Sequence, residues 1–140
     1  VIICRFLPEI DAIRRILEKK RINYSVISGE IRDRDEQVRR FQTNPDTTVF
    51  VGQIATAGLG ITLTAADTMV FYSLDYSMSN FEQAKARIHR VGQRNPCTYA
   101  YLVAAGTVDE KVLQALRDKA DLARILIDEY RAGKNPFQTD

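Results

Sequence analysis

Five short runs of apolar and β-branched residues, separated by amphipathic stretches, constrain the fold of this 140-residue chain more than any other feature. A strand that is apolar on both faces must be covered by helices on both sides, as in parallel α/β sheets. The alternation therefore predicts a three-layer α/β fold, with a parallel sheet of about five to six strands flanked by helices. The predicted strands are Val1–Cys4, Tyr24–Ile27, Thr48–Val51, Thr68–Leu74 and Cys97–Val103.

The first two predicted helices carry recognisable start signals. Pro8 suits the first turn of a helix that continues to about Lys20, because a backbone N–H in that turn would have no partner within the helix and proline has none to leave unpaired. Asp33 with Glu36 resembles the cap of a second helix. Both helices present apolar residues at helical spacing toward the sheet.

Two further helices are predicted in the second half of the chain. Ser79 with Glu82 forms a Ser-x-x-Glu capping box, which opens a third helix that Gly92 can end. Thr107 opens a fourth helix in the same way, and the apolar stripe that follows predicts a long C-terminal helix over 108–131.

The composition is that of a soluble globular protein, with 45% hydrophobic and 27% charged residues. The length indicates one domain, 1–140, and no apolar run is long enough to predict a membrane span. The sequence starts at Val1 inside a predicted strand, without an initiator methionine, so we expect a fragment of a longer protein.

The two cysteines, Cys4 and Cys97, fall in predicted buried strands and lack the spacing of metal ligands. We expect reduced core thiols, no metal site and an intracellular protein. The net charge of +2 is too small to indicate nucleic-acid binding by itself. Any case for an anionic partner must therefore come from local residues.

The strongest chemical signal is the spacing of Gln83, Arg87 and Arg90, which places all three on one face of the predicted third helix. Two neighbouring arginines repel each other unless an anion lies opposite, and guanidinium groups bind phosphate oxygens in pairs. The alternative is a solvated basic face that pairs with acidic residues elsewhere.

A glycine pair, Gly58 and Gly60, follows the third predicted strand. Glycines there permit positive φ and close approach of a phosphate or a nucleic-acid backbone. Ligands in open α/β sheets bind beyond the carboxyl ends of strands, where this loop is predicted to lie. The alternative is an ordinary turn.

The order strand, Gly-x-Gly loop, strand and Gln-x3-Arg-x2-Arg-x-Gly-Gln resembles motifs V and VI of superfamily 2 helicases. More narrowly, it resembles the switch/sucrose-nonfermenting family of DNA translocases, since Gln93 stands where DEAD-box RNA helicases typically have arginine. The resemblance extends over most of the chain. The matching segments are Ile2–Phe6, Ser28 and Gly29 with Arg34 and Phe41, Ala57–Ala66, Gln83–Gln93, and Leu102–Glu110 with Val112 and Leu113.

The resemblance implies that this chain is the second RecA-like lobe, also called the helicase C-terminal domain. By that resemblance Arg87 and Arg90 are arginine fingers that reach the γ-phosphate of ATP across a cleft between two lobes. Gln83, Gly58 and Gly60 would help to shape the site. His89 belongs to the same motif, and we expect it to pack rather than to act in catalysis.

The family also implies that four residues lie near DNA phosphates on the same edge of the sheet: Arg5, Gly29, Arg34 and Thr56. The alternatives are ordinary surface charges for Arg5 and Arg34 and a turn glycine for Gly29. The sequence departs from the family at Thr62, where asparagine is usual, at 75–79, and in a 29–34 loop about two residues short. These differences affect the expected DNA loops rather than the ATP half.

The sequence contains no Gly-x4-Gly-Lys-Ser/Thr phosphate loop and no acidic pair after a strand. The resemblance therefore implies that ATP and Mg²⁺ are held mainly by an N-terminal RecA-like lobe of the same protein, with double-stranded DNA as the other partner. The isolated chain is then expected to be inactive. Two other functions stay open: a non-catalytic module that binds nucleic acid or protein, and the lobe of an RNA helicase.

Overall fold

The computed structural model describes residues 1–29 and 31–134, with side chains for all of these except 57–59. Five parallel strands form one sheet in the order β2-β3-β1-β4-β5, as the alternation predicted. The strands are β1 (Ile2–Cys4), β2 (Asn23–Ile27), β3 (Thr47–Gln53), β4 (Thr68–Phe71) and β5 (Thr98–Tyr101). The helices are α1 (Leu7–Lys19), α2 (Arg34–Thr43), α3 (Met78–Lys85) and α4 (Val108–Arg131), with a short 3-10 helix at Ile54–Leu59.

Alternate side chains of the strands build two apolar layers. On one face, Cys4, Val26 and Val51 pack with Ile13 and Leu17 of α1. Because successive strand residues point to opposite faces, their sequence neighbours face the other layer.

The second layer is larger and is covered by α2, α3 and the start of α4. Phe71 lies at its centre, with ring centroids 4.8 Å from Phe81 of α3 and 5.1 Å from Tyr101 of β5. Phe41 of α2 meets Phe50 edge-on at 5.5 Å. These contacts hold α2 and α3 on this face of the sheet, and the 86–95 segment continues from the end of α3.

The third helix differs from its prediction at both ends. Its N-cap is Ser77, whose hydroxyl accepts a hydrogen bond from the N–H of Asn80 at 3.2 Å, so the predicted capping box at Ser79 is wrong. Asp75 stabilises this start by accepting from the N–H of Ser77 at 2.7 Å and from the Asn80 side chain at 3.1 Å.

The helix also ends at Lys85 rather than near Gly92. The N–H of Arg87 turns back to the carbonyl of Ala84 at 3.0 Å, and the carbonyl of Arg87 accepts from the N–H of Leu63 at 2.9 Å. Because this carbonyl is used by a distant loop, the chain leaves the helical path. Arg87 and Arg90 therefore lie beyond the helix and not on its face.

The long C-terminal helix was predicted correctly over 108–131, and Thr107 caps it by accepting from the N–H of Asp109 at 3.2 Å. Val112 and Leu116 are buried against the body of the lobe. The distal half differs, since Leu122 is 57% and Ile125 is 52% exposed. Among residues 1–29 and 31–134, no helix combines the length and apolar character needed to cross a membrane.

The two cysteines lie in different surroundings. Cys4 is fully buried, as predicted, whereas Cys97 is only partly buried. The prediction for Cys97 was wrong because it lies just before β5, an edge strand whose residues Thr98–Tyr101 are exposed or only partly buried.

Candidate functional site

The guanidinium groups of Arg87 and Arg90 lie at the same glycine. Nη1 of Arg90 is 3.4 Å from the carbonyl oxygen of Gly60 and 3.2 Å from that of Ile61. Nη1 of Arg87 lies 3.8 Å from the place that a Cβ on Gly60 would occupy. The structure thus brings both predicted arginines to one predicted glycine, although α3 does not carry them.

Backbone and amide contacts hold this arrangement. The Leu63–Arg87 hydrogen bond joins the loop after Gly60 to the segment after α3, and Ile88 between the arginines is fully buried. Gln93 donates from Nε2 to the carbonyl of Ala66 at 2.7 Å. The arginines are therefore placed by a packed turn rather than by free side chains on a helix.

The electrostatics of the pair favour an anion. Burial is the main cause that lowers the pKa of Arg87, and the positive charge of Arg90 lowers it further. A guanidinium stays protonated despite such shifts, so the repulsion remains in place. An anion between the two groups would relieve their repulsion and offset the cost of burying Arg87.

Gly60 has φ of 72°, in the left-handed region that favours glycine, so the predicted positive φ is found at this residue. Gly58 lies inside the 3-10 helix Ile54–Leu59, so the predicted open Gly-x-Gly loop is in fact a short helix that ends before Gly60.

Gln83 contacts Arg87 through its backbone. Its carbonyl oxygen accepts from Nε of Arg87 at 2.8 Å, which orients that side chain. Its own side chain is exposed and donates to the hydroxyl of Ser79 at 3.3 Å, back along α3. His89 is also exposed, so the prediction that it packs in the protein was wrong.

A second group lies at the carboxyl ends of β1 and β3. The side chain of Gln53 donates to the carbonyl of Arg5 at 3.3 Å, and the hydroxyl of Thr56 donates to the carbonyl of Gln53 at 2.6 Å. Arg5 is exposed, with its guanidinium carbon 4.9 Å from the centre of the Phe6 ring. Arg5 and Thr56 are thus linked through Gln53, which the sequence analysis missed.

Gly29 and Arg34 lie at the end of the neighbouring strand. Gly29 follows β2 and is exposed, with nothing within 4 Å of where a Cβ would stand. Arg34 is the first residue of α2 and is partly exposed. Since β2, β3 and β1 are adjacent and parallel, these residues share one edge of the sheet with Thr56 and Arg5, which we call the carboxyl rim.

Gln42 is a further residue that the sequence analysis missed. From α2 it donates to the hydroxyl of Thr64 at 3.1 Å and accepts from the N–H of Ala65 at 2.7 Å. These two hydrogen bonds hold the loop between Gly60 and β4 in place. Nothing in the local sequence marks the residue, because its partners lie 22 and 23 positions away.

The chain is similar to known proteins in sequence and in fold. The family described as helicase conserved C-terminal domain matches residues 1–92. The chromatin-remodeling ATPase INO80 of Cryptococcus neoformans is 41% identical over 119 residues, and the INO80 of Mus musculus is 36% identical over 120 residues. Each alignment covers 84% of this chain but only 7% and 8% of the respective relative.

The fold has a counterpart among solved structures. The crystal structure of the C-terminal part of Fun30 ATPase domain superposes with a TM-score of 0.78 at 23% identity, over 82% of this chain and 38% of that one. This likeness concerns the fold, whereas the family match covers well over half of the chain. The chain therefore belongs to the helicase C-terminal domain family, as a second RecA-like lobe of the switch/sucrose-nonfermenting type.

Proposed function

We propose that this chain, as a single lobe over 1–140, is the second motor lobe of an ATP-dependent double-stranded DNA translocase. The observation that carries the proposal is the meeting of Arg87 and Arg90 at Gly60. Arg90 uses one terminal nitrogen for the carbonyls of Gly60 and Ile61, which leaves further N–H groups of its guanidinium for a ligand.

The donor set fits a triphosphate. Planar guanidinium groups match phosphate oxygens in pairs, and the lowered pKa of Arg87 is the mark of a partly buried cation beside a like charge. ATP with Mg²⁺, held mainly by an N-terminal lobe, supplies the γ-phosphoryl group on which charge develops during transfer. Arg87 and Arg90 stabilise that charge when the lobes close, and the bonds from Gln83 and Leu63 keep Arg87 in position.

The carboxyl rim is the proposed DNA surface. Arg5 supplies a positive charge after β1 and Arg34 a second charge at the start of α2, while Thr56, whose hydroxyl donates to the carbonyl of Gln53, lies after β3 between them. Gly29 leaves open space beside them, which suits close approach of a phosphate. Such groups contact the backbone rather than read base edges, so binding is independent of sequence.

The test is the substitution Arg90→Ala in the full-length protein, with Arg124→Ala as the matched control. Arg124 is an exposed arginine of α4 that pairs with Asp121 at 3.2 Å. Loss of an arginine finger is expected to lower the kcat of DNA-stimulated ATP hydrolysis by about 10³-fold or more. The KM for ATP should change far less, because the N-terminal lobe makes most ground-state contacts.

A kcat near that of the wild-type protein would remove the finger role from Arg90. Stimulation by duplex DNA, single-stranded DNA and RNA should be compared in the same assay. We expect the duplex to be the strongest activator, and stimulation by RNA alone would replace the proposed substrate.

A further inference from the structure

A cavity of about 600 Å³ runs along the outer edge of β2 between α1 and α2, from Arg21 before the amino end of the strand to Ile31 beside the carboxyl rim. Its wall carries three arginines and one glutamate: Arg14, Glu18 and Arg21 from the α1 side and Arg40 from α2. The neutral side chains of Asn23 and Asn44 also line it. A concave surface with this excess of positive charge suits an anionic ligand.

The backbone edge of β2 is already used within the chain. The N–H of Val26 donates to Oε1 of Gln37 at 3.0 Å, and the carbonyl of Tyr24 accepts from Nη2 of Arg40 at 2.7 Å. An incoming strand therefore cannot pair with these groups. A ligand in the cavity meets side chains, so the chemistry of those side chains decides what binds.

The glutamate in the wall is held by a neighbour. The hydroxyl of Tyr24 donates to Oε1 of Glu18 at 2.7 Å and accepts from Nε of Arg14 at 3.2 Å. Nε of Arg40 donates to the hydroxyl of Ser25 at 3.3 Å. Arg40 also donates from Nη2 to Oε1 of Gln37 at 3.0 Å, and Nη1 of Arg14 lies 3.8 Å from Oδ1 of Asp11. Since a guanidinium carries five N–H groups, Arg14 and Arg40 keep donors for a ligand after these contacts.

Arg21 stands at a position where glycine is normally preferred. It follows α1 with φ of 56°, and the N–H of Ile22 reaches back to the carbonyl of Leu17 at 2.9 Å. A residue with a Cβ is destabilised in this left-handed conformation relative to glycine. The N–H groups of Arg21 and Ile22 bond back to Glu18 and Leu17, so the end of α1 accounts for the left-handed backbone. A cation is also favoured near a helix C-terminus, and glycine would adopt this backbone without strain.

We propose that this cavity binds the phosphodiester backbone of a nucleic acid, as a second contact whose arginines lie beyond the residues of the carboxyl rim. Guanidinium groups match the two non-bridging oxygens of a phosphate, and the asparagine amides can donate to phosphate and sugar oxygens. Arg21 lies before the amino end of β2 and Gly29 after its carboxyl end, so the strand, about 16 Å long, separates the two contacts. This inference goes beyond the proposed ATPase role and does not require it.

The test uses the 140-residue chain and a short fluorescein-labelled DNA duplex. Arg21→Gly removes the guanidinium while relieving the backbone strain, so the variant is expected to fold at least as well as the wild type. We expect its affinity for DNA to fall about tenfold at low salt. The slope of log K against log salt should fall by about 0.9, which is the value for one lost phosphate contact.

Arg15→Ala is the matched control, because Arg15 is an exposed neighbour on α1 that does not line the cavity and carries the same charge. It should leave the affinity and the slope nearly unchanged. Equal losses in both variants would show a general charge effect, and wild-type binding by Arg21→Gly would remove the site; either result overturns the proposal.

Two further arms identify the source of the phosphate. Inorganic phosphate should compete only weakly with the duplex, and strong competition would assign the cavity to a free anion instead. A glutamate-rich peptide should not displace the duplex, and displacement would assign it to an acidic protein segment. Arg5→Ala at the carboxyl rim should weaken binding, and its loss should add to that of Arg21→Gly in the double variant. If Arg5→Ala leaves binding unchanged, the result counts only against the DNA surface proposed above.

Discussion

Nε2 of Gln93 and the carbonyl oxygen of Ala66 are 2.7 Å apart, and this hydrogen bond joins the end of the arginine segment to the loop before β4. The same amide donates to the carbonyl of Ile88 at 3.0 Å and accepts from the N–H groups of Arg94 and Asn95 at 3.0 and 3.1 Å. A single side chain thus satisfies four backbone groups around the turn that places Arg87 and Arg90.

Replacement of Gln93 by alanine should therefore destabilise the lobe. Leaving partly buried backbone groups unsatisfied costs about 1–3 kcal/mol, which urea unfolding of the 140-residue chain would measure. Gln114→Ala is the control, since Gln114 is an exposed residue of α4 that bonds only to Asp118 among the contacts in the described part of the chain. Equal unfolding midpoints for the two variants would contradict the bridging role.

Gly60→Ala should lower the free energy of unfolding, whereas Gly29→Ala should leave it nearly unchanged. Gly60 has φ of 72°, and a Cβ there would lie 3.8 Å from Nη1 of Arg87, so the cost is the left-handed backbone, about 1–2 kcal/mol. Gly29 has open space and no such φ. Thermal unfolding of both variants checks the difference, and a larger loss at Gly29 would show that the carboxyl rim is more constrained than its geometry indicates.

The two serines at the start of α3 should respond differently to alanine. Ser77 caps the helix, so Ser77→Ala is expected to cost about 1 kcal/mol. Within the described residues, the side chain of Ser79 only accepts a long hydrogen bond from the exposed side chain of Gln83, so Ser79→Ala should change stability by a few tenths of a kcal/mol at most. Equilibrium unfolding in urea decides between them, and the reverse order would restore the capping box expected from the sequence.

The two thiols should react at very different rates in the native protein. Burial raises the pKa of Cys4 to about 12, and the nearby charge of Glu9 acts in the same direction. Its reactive thiolate is therefore nearly absent at pH 8, whereas Cys97 is partly exposed. A thiol-specific chromogenic reagent should modify one cysteine rapidly and the second only on unfolding.

The same shift gives a pH dependence of stability. The folded pKa of Cys4 lies above its ordinary value of 9.0, so the unfolded chain loses the proton first as pH rises. The free energy of unfolding should therefore fall between about pH 9 and pH 12. Cys4→Ala should lack this contribution, and rapid native labelling of Cys4 in a Cys97→Ser protein would contradict its burial.

The layers of the fold follow from local patterns. Apolar runs located all five strands, and the apolar stripe at helical spacing located the long helix over 108–131, because both patterns are visible in the local sequence. The extent of α3 could not be read in this way. Its end depends on the bond between Leu63 and Arg87, which are 24 positions apart, and local propensity holds no information about that contact.

The candidate site was likewise predictable from the sequence only in part. The resemblance to a family marked Arg87, Arg90 and Gly60, and the structure brings these three together. The amides of Gln42 and Gln53 were not predicted, since a glutamine that bonds to a distant backbone looks like any surface glutamine. Helical spacing predicted that Arg87 and Arg90 lie together on a helix face. They do lie together, but the turn after α3 places them rather than the helix.

The distal half of α4 has a practical consequence for any preparation of this chain. Leu122, Ile125, Ile127 and Tyr130 are each more than half exposed along less than three helical turns. Clustered apolar groups in contact with water favour self-association. We therefore expect sedimentation and light scattering to depend on protein concentration, and a mild detergent to suppress that dependence without altering the sheet.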